Sequence, residues 1–215
     1  ENVYAGNSMS RRAGFQYGRL IPSSPFGQVD SAIGKGLSVG AAGLIPPTVV
    51  VTEPFEEHTI DGIRVNFQNT PGTEAPAEMN AWFPDQKVFW AAENITATIH
   101  NVYTLRGALV RDALAWSKQI NAALYEFGLD AEVMVSSHNW PRWGNERIQE
   151  VMRTQRDAYA NLNNQVLNLA NQGVTINEIH NEYKVPPSLQ KQWSARQYHG
   201  SEFHNSRAVI NRYLG

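Results

Sequence analysis

Several stretches of this sequence carry residue types suited to hydrolytic or metal chemistry. In Thr70-Pro71-Gly72-Thr73-Glu74-Ala75-Pro76-Ala77-Glu78, two carboxylates stand four residues apart in a Pro- and Gly-rich turn. Such a pair either faces water in a loop or is held inward against a cation. Glu93 ends the apolar run Val88-Phe89-Trp90-Ala91-Ala92. A carboxylate ending a buried strand must be paired, metal-bound or protonated, unless the strand end tips into water. His138, in Ser136-Ser137-His138-Asn139-Trp140-Pro141-Arg142-Trp143-Gly144, is delivered by a strand into a loop; it is either a structural hydrogen-bonder or a ligand. His100-Asn101-Val102-Tyr103-Thr104-Leu105-Arg106-Gly107 leads toward a helix. Arg106 near its start could clamp an oxyanion with free backbone N–H groups, or Thr104 could cap the helix with Arg106 on a solvated face. Taken together, Glu74, Glu93 and His138 each follow or join strands of one layered unit, where ligand sites collect. Two carboxylates and an imidazole suit Zn²⁺, which accepts both N and O ligands, but three ligands do not close a two-metal site.

The elements that must position these residues change character near residue 103. Residues 1–102 hold most of the Gly and Pro and read as loops and strands. The first 47 residues lack regular periodicity, and Ser23-Ser24-Pro25-Phe26-Gly27 with residues 34–43 reads as a long surface excursion. Thr48-Val49-Val50-Val51-Thr52 is β-branched and predicts a strand. Thr59-Ile60 and Ile63-Arg64-Val65-Asn66-Phe67 flank Asp61-Gly62, the signal for a type I′ hairpin. Residues 80–83 and 88–92 make a second strand pair. From Thr104 the period becomes helical: Ala113, Trp116, Ile120, Leu124 and Phe127 recur at three- and four-residue steps, with Gly128 as the stop. A short strand at 132–135 follows. Residues 145–172 then predict a long helix, with Ile148, Met152, Tyr159, Leu162, Val166 and Leu169 near heptad spacing and Gly173 after its end. Thr175 with Glu178 forms a capping box, Pro186-Pro187 breaks the short helix that follows, and helices near 188–197 and 205–213 finish the chain. Strands, a helix, a strand and then only helices point to half of an α/β layered domain with a helical appendage.

Composition narrows the function classes. The chain has 215 residues, 42% hydrophobic and 18% charged, enough for a packed core. A net charge of −2 argues against a general nucleic-acid or anionic-membrane binder. No apolar run reaches the roughly 18 residues of a transmembrane helix. With no cysteine there are no disulfides and no thiolate metal sites, and the redox compartment stays open. The opening Glu1-Asn2-Val3-Tyr4, with no initiator Met, reads as part of something longer, so a missing signal peptide says nothing about location.

Five ordered blocks make the reading specific. Asn7-Ser8-Met9-Ser10-Arg11-Arg12, Pro71-Gly72-Thr73-Glu74-Ala75-Pro76-Ala77-Glu78-Met79, Ala92-Glu93-Asn94, the 100–107 segment and the 137–144 segment resemble the signature blocks of bacterial alkyl sulfatases of the metallo-β-lactamase superfamily. The resemblance implies an α/β fold: a partial metallo-β-lactamase αββα layer at 1–144, then an all-helical dimerisation segment at 145–215 whose hairpin also draws on 104–127. It implies hydrolysis of alkyl sulfates such as dodecyl sulfate at a two-zinc centre. Glu74 would ligate one zinc, Glu93 bridge both and His138 ligate the second. His100 would be the catalytic proton donor or hydrogen-bonding partner. Asn101 and Arg106 would hold the sulfate, with Tyr198 and His199 as further substrate-side candidates. A homodimer and a periplasmic or secreted location are expected on the same grounds. The family's His-x-His-x-Asp-His motif, which supplies four more ligands, does not occur in this sequence. This chain by itself is therefore expected to bind zinc weakly or not at all and to be inactive. Two other readings compete: a metallo-β-lactamase-fold hydrolase acting on another ester, and a non-catalytic module in which the 148–169 stripe mediates self-association.

Overall fold

Asp61-Gly62 turns the chain where its sequence says it should. In the computed structural model, which describes residues 2–31, 34, 43 and 45–214, β1 (Phe55–Ile60) and β2 (Ile63–Asn69) pair antiparallel across that dipeptide. Asp61 and Gly62 have φ of 48° and 78°, the left-handed pair that a type I′ turn needs to match strand twist. β3 (Met79–Phe83) and β4 (Val88–Trp90) extend the sheet antiparallel. After a crossover, β5 (Val133–Val135) lies parallel to β4 and β6 (Arg142–Trp143) closes the order β1-β2-β3-β4-β5-β6. The crossover is α2 (Ala113–Ala123), capped by Asp112, whose Oδ1 accepts from the Ala115 N–H at 2.9 Å. A π-helical turn, Leu124–Gly128, ends it. A Cβ at Gly128 would lie 2.8 Å from the Met152 sulfur, so glycine here also lets the turn pack against the next helix.

That helix is α3 (Asn145–Asn171), followed by Gly173 at φ 93°. Its stripe of Ile148, Met152, Tyr159, Leu162 and Val166 is buried against α2 and the last helix, α6 (Glu202–Leu214), within this chain. Gln155 occupies the gap in the stripe and donates to the carbonyls of Thr96, Thr98 and Ser194 at 2.8–3.2 Å. Between them, α4 (Ile179–Glu182) and α5 (Pro187–Gln190) are single turns, and a 3₁₀ turn at Trp193–Ala195 replaces the second half of the helix expected at 188–197. The Glu178 carboxylate receives both the backbone N–H and the hydroxyl of Thr175 before α4. Phe89, Ile95, Trp116, Phe127, Met134 and Met152 form the centre of the core. Each such side chain contributes about 1.5–3 kcal/mol by leaving water.

The chain divides into two compact units, Val51–Val102 with Val110–Gly215, and Glu1–Val50 with Tyr103–Leu109. The first holds the sheet and α2–α6. The second contains α1 (Asn2–Gln16), which the sequence does not announce. Among the α1 residues whose side chains are described, 6–16, the partly covered positions are Gly6, Met9, Ala13, Gly14 and Gln16, a helical stripe made mostly of small and polar residues that hydrophobic patterning does not register. The excursion expected at 34–43 lies largely outside the described residues.

Two further expectations fail. Residues 48–52 form no strand; Val49 and Val50 are exposed, and the N–H groups of Thr52 and Glu53 donate to the Glu56 side chain at 2.6 and 2.8 Å instead of to a ladder. Thr104 and Arg106 do not open a helix either. Gly107 turns at φ 99°, and α2 starts only at Ala113.

Candidate metal centre

Parallel pairing of β4 and β5 aligns the two loops that carry chemistry. Trp90 is in register with Val135, and the pairing continues past the strands, with the Ala91 N–H on the Val135 carbonyl and the Ser137 N–H on the Ala92 carbonyl, both at 2.8 Å. Glu93 and His138 keep that same offset of 45 residues and meet, Glu93 Oε1 hydrogen-bonding His138 Nε2. Both arrive on unusual backbone: Ala92 has φ 46°, His138 59° and Asn139 153°. Left-handed non-glycine residues cost about 1–3 kcal/mol each and persist where surrounding contacts dictate them.

A chain of buried amides supplies some of those contacts. Gln68 on β2 donates to the Gln119 carbonyl of α2, Asn80 on β3 donates to Gln68, and Asn94 donates to both Asn80 and Thr70 at 2.9 Å. The Trp116 indole donates to the Asn94 carbonyl at 2.8 Å. Asn94 thus ties the Glu93 loop to Thr70, which begins the Glu74 loop. There the Thr70 hydroxyl donates to the Glu78 carbonyl, the Thr73 hydroxyl to the Thr70 carbonyl, and the Asp112 N–H to the Gly72 carbonyl.

His100 is buried and reaches the cluster from the opposite side. Its N–H donates to the Tyr159 hydroxyl at 3.1 Å, and its carbonyl accepts from Asn205 Nδ2 at 3.1 Å while Asn205 Oδ1 accepts from the Val102 N–H at 3.0 Å. Nδ1 lies 2.9 Å from the Asn101 carbonyl and Nε2 lies 3.5 Å from Glu93 Oε1. The His199 ring sits between those of His100 and His138, with centroids at 4.6 and 4.5 Å. It is brought there by a bridge between Ile99 and Gln197 and by Gly200, where a Cβ would fall 2.6 Å from the His100 carbonyl.

Two overlapping groups that could hold a metal ion result among the described residues: Glu74, Glu93 and His100, and Glu93, His138 and His199. Within each set one donor atom per residue lies within 4.8 Å of the others. Glu93 belongs to both. Its carboxyl is held down to about 2, first by the hydrogen bond from His100 and then by the charges of His100 and His138, against the opposing effect of burial. Burial, followed by the neighbouring His100 and His138, lowers His199 to about 4. The cluster therefore presents an anionic carboxylate and an unprotonated imidazole near neutral pH, the donor states a borderline divalent ion requires. Burial and the Glu74 carboxylate push Glu78 up.

Of the sequence candidates, Glu74, Glu93, His100, His138 and His199 converge. Asn101 lies beside them with its amide engaged on both ends, Oδ1 accepting from Arg111 at 2.7 Å and Nδ2 donating to the His199 carbonyl at 3.0 Å. Tyr198 is exposed. Arg106 belongs to the other compact unit, where its N–H donates to Gln16, its guanidinium to the Tyr17 hydroxyl, and its carbonyl accepts from Arg12. Sequence reasoning missed Arg111, Tyr159 and Asn205. Tyr159 sits in the apolar stripe of α3 and reads as core, and Asn205 in α6 carries no spacing signal. Arg111 stands among residues that carry no spacing signal, beyond the Thr104 entry where the sequence predicts the helix to begin.

The site is thus a sheet whose strand ends gather carboxylates and imidazoles around one shared glutamate. A metallo-beta-lactamase family protein from Thermus thermophilus has the same fold, with a TM-score of 0.51 at 14% identity over 100% of this chain and 60% of that one. The particular likeness is closer. Residues 175–215 match the alkyl sulfatase dimerisation family. The alkyl/aryl-sulfatase BDS1 of Saccharomyces cerevisiae is 46% identical over all of this chain and 33% of its own length. The stereoselective inverting sec-alkylsulfatase Pisa1 from Pseudomonas sp. superposes with a TM-score of 0.94 at 43% identity, over 100% of this chain and 34% of that one. The resemblance to alkyl sulfatases thus runs along the entire chain, which spans about a third of the length of these relatives. Among the described residues, no helix is long and apolar enough to cross a membrane.

Proposed function

We propose that this chain is part of a zinc-dependent alkyl sulfatase that hydrolyses alkyl sulfates to an alcohol and inorganic sulfate. The observation that carries the proposal is the sharing of Glu93 between two ligand sets, as a two-metal centre requires. Glu74 would ligate one zinc, His138 the other, and Glu93 both, with the remaining ligands coming from a His-x-His-x-Asp-His segment outside this sequence. The zinc pair, when bound, supplies Lewis acidity and positive charge for an anionic ester. His100, buried with its Nε2 3.5 Å from Glu93 Oε1, would donate or share a proton there. Arg106, Asn101 and the Tyr198-His199 pair are the sulfate-side candidates; a planar guanidinium suits two sulfate oxygens at once. The dimerisation-family match at 175–215 supports a homodimeric parent. The apolar stripe of α3 supplies no such support, because α2 and α6 of the same chain cover it.

The test is zinc content by elemental analysis together with dodecyl sulfate hydrolysis, on this chain and on its full-length parent. The expected outcome is two zincs and turnover in the parent, with little or neither in this chain alone. A parent with no zinc and no sulfatase activity would overturn the reading.

A further inference from the structure

We propose that Thr70 and Asn94 are the positioning pair of this centre: one hydrogen bond between their side chains sets the loop that carries Glu74 against the loop that carries Glu93. The inference rests on reading Glu74 and Glu93 as metal ligands in a zinc sulfatase. Both residues are buried, Thr70 just after β2 and Asn94 next to Glu93. Asn94 Nδ2 donates to Thr70 Oγ1 at 2.9 Å. The same hydroxyl donates onward to the Glu78 carbonyl at 2.9 Å, and the Thr70 N–H reaches that carbonyl at 2.9 Å as well. The Thr73 hydroxyl closes on the Thr70 carbonyl at 2.6 Å. Glu74 therefore lies in a loop whose two ends are tied at Thr70, and Asn94 joins that knot from the Glu93 side.

The amide has one orientation. A backbone carbonyl only accepts, so the Gln119 carbonyl on α2 fixes the Gln68 amide with Nε2 toward it at 3.0 Å. Gln68 Oε1 then takes Asn80 Nδ2, and Asn80 Oδ1 takes Asn94 Nδ2, each at 2.9 Å. The direction of the ladder thus runs from α2 through β2 and β3 to the Glu93 loop. Turned over, Asn94 would set its oxygen against the Asn80 oxygen. In the observed orientation both amide hydrogens are used, and Asn94 Oδ1 is buried with no hydrogen-bond partner among the described residues. An unpaired buried acceptor costs about 1–3 kcal/mol, which offsets what the two donors contribute to stability. What remains is placement. The Asn94 backbone is held too, its N–H on the Ala91 carbonyl at 2.9 Å and its carbonyl on the Trp116 indole at 2.8 Å. Groups that orient a metal ligand in this way commonly change metal affinity or activity by about 10–100-fold when removed.

The experiment uses the full-length parent with three variants. Thr70→Val keeps the shape and removes the hydroxyl, Thr70→Ser keeps the hydroxyl, and Asn94→Ala leaves the Thr70–Glu78 bond in place. Zinc affinity of the metal-free proteins is measured by competition with a chromophoric chelator, and kcat and KM for dodecyl sulfate are expressed per bound zinc. Thr70→Val and Asn94→Ala are each expected to lose at least about tenfold in zinc affinity and in kcat per bound zinc, with KM within about twofold of the parent. Thr70→Ser is expected to stay within about twofold of the parent on every measure. If folded Thr70→Val keeps zinc affinity and kcat within about twofold, whatever its melting temperature, the bond is an ordinary core hydrogen bond and the proposal fails. It also fails if Asn94→Ala matches the parent, since the hydroxyl then acts only within the Glu74 loop. A loss in Thr70→Ser equal to that in Thr70→Val marks a packing effect and is a third way to fail. Should Thr70→Val or Asn94→Ala not fold, the other, set against Thr70→Ser, decides. A parent that binds no zinc and cleaves no sulfate ester overturns the functional reading instead, a result distinct from variants that match an active parent.

Discussion

The two halves of the candidate centre share Glu93 and are built in opposite ways. The half with Glu74 and His100 is enclosed: His100 is 2% exposed, Arg111 spans Glu74 and Asn101, and Tyr159 and Asn205 fix the His100 backbone on both sides. The half with His138 and His199 is half-buried and stands on left-handed backbone at residues 138 and 139 and on a loop pinned at Gly200. The enclosed half is held by hydrogen bonds whose loss strands buried polar groups. The open half is held mainly by strand register and ring contacts. The difference teaches that one shared carboxylate can join a rigid ligand set to an adaptable one, with rigidity placed where burial makes an error costly.

Removing the shared residue gives the largest expected effect. Glu93→Gln in the full-length parent should take bound zinc from two to less than one per chain by elemental analysis and lower turnover by more than about 100-fold. Retention of two zincs would break the claim that the halves share a ligand. Next in size is a contrast in stability. Glu74→Ala removes the carboxylate that offsets the buried Arg111 charge and should cost about 3 kcal/mol in chemical denaturation, whereas His138→Gly, which loses one hydrogen bond but relieves a φ of 59°, should shift stability by less than about 1 kcal/mol. Equal losses in the two variants would erase the distinction between an enclosed and an adaptable half. The smallest effect concerns pH. The fold holds His199 near 4 against an ordinary 6.5, so the unfolded chain binds the extra proton in between. Stability of the metal-free protein from this group is present above about 6.5 and lost as pH falls toward 4. Melting curves across that window should be flatter for His199→Phe; an unchanged slope would mean that His199 is not buried as described.

Legibility differs by element for physical reasons. The Asp61-Gly62 hairpin, the β3–β4 pair, α3 and its Gly173 end follow from local backbone preference and periodicity, and the sequence states them. So do the residue types at Glu74, Glu93 and His138, because a carboxylate after a buried strand needs a partner. The strand expected at 48–52 does not form, since β-branched residues favour extended backbone but cannot supply a neighbouring strand. The helix entry expected at Thr104 moves to Ala113 because Gly107 and the Asp112 cap outweigh the apolar residues before them. α1 escapes sequence reading because its covered face is mostly small and polar.

The sequence by itself determined the central run of elements from the Asp61-Gly62 hairpin to α3, the resemblance to alkyl sulfatases and most of the candidate ligands, since these depend on residue identity and short-range spacing. Only the tertiary structure decided that Glu93 faces both His100 and His138, that His199 stands between them, and that Arg111 reaches Glu74 and Asn101 at once. Those relations come from the parallel register of β4 with β5 and from Asn205 of α6 holding the His100 segment. Both are contacts between residues far apart in the chain, and no local pattern encodes them.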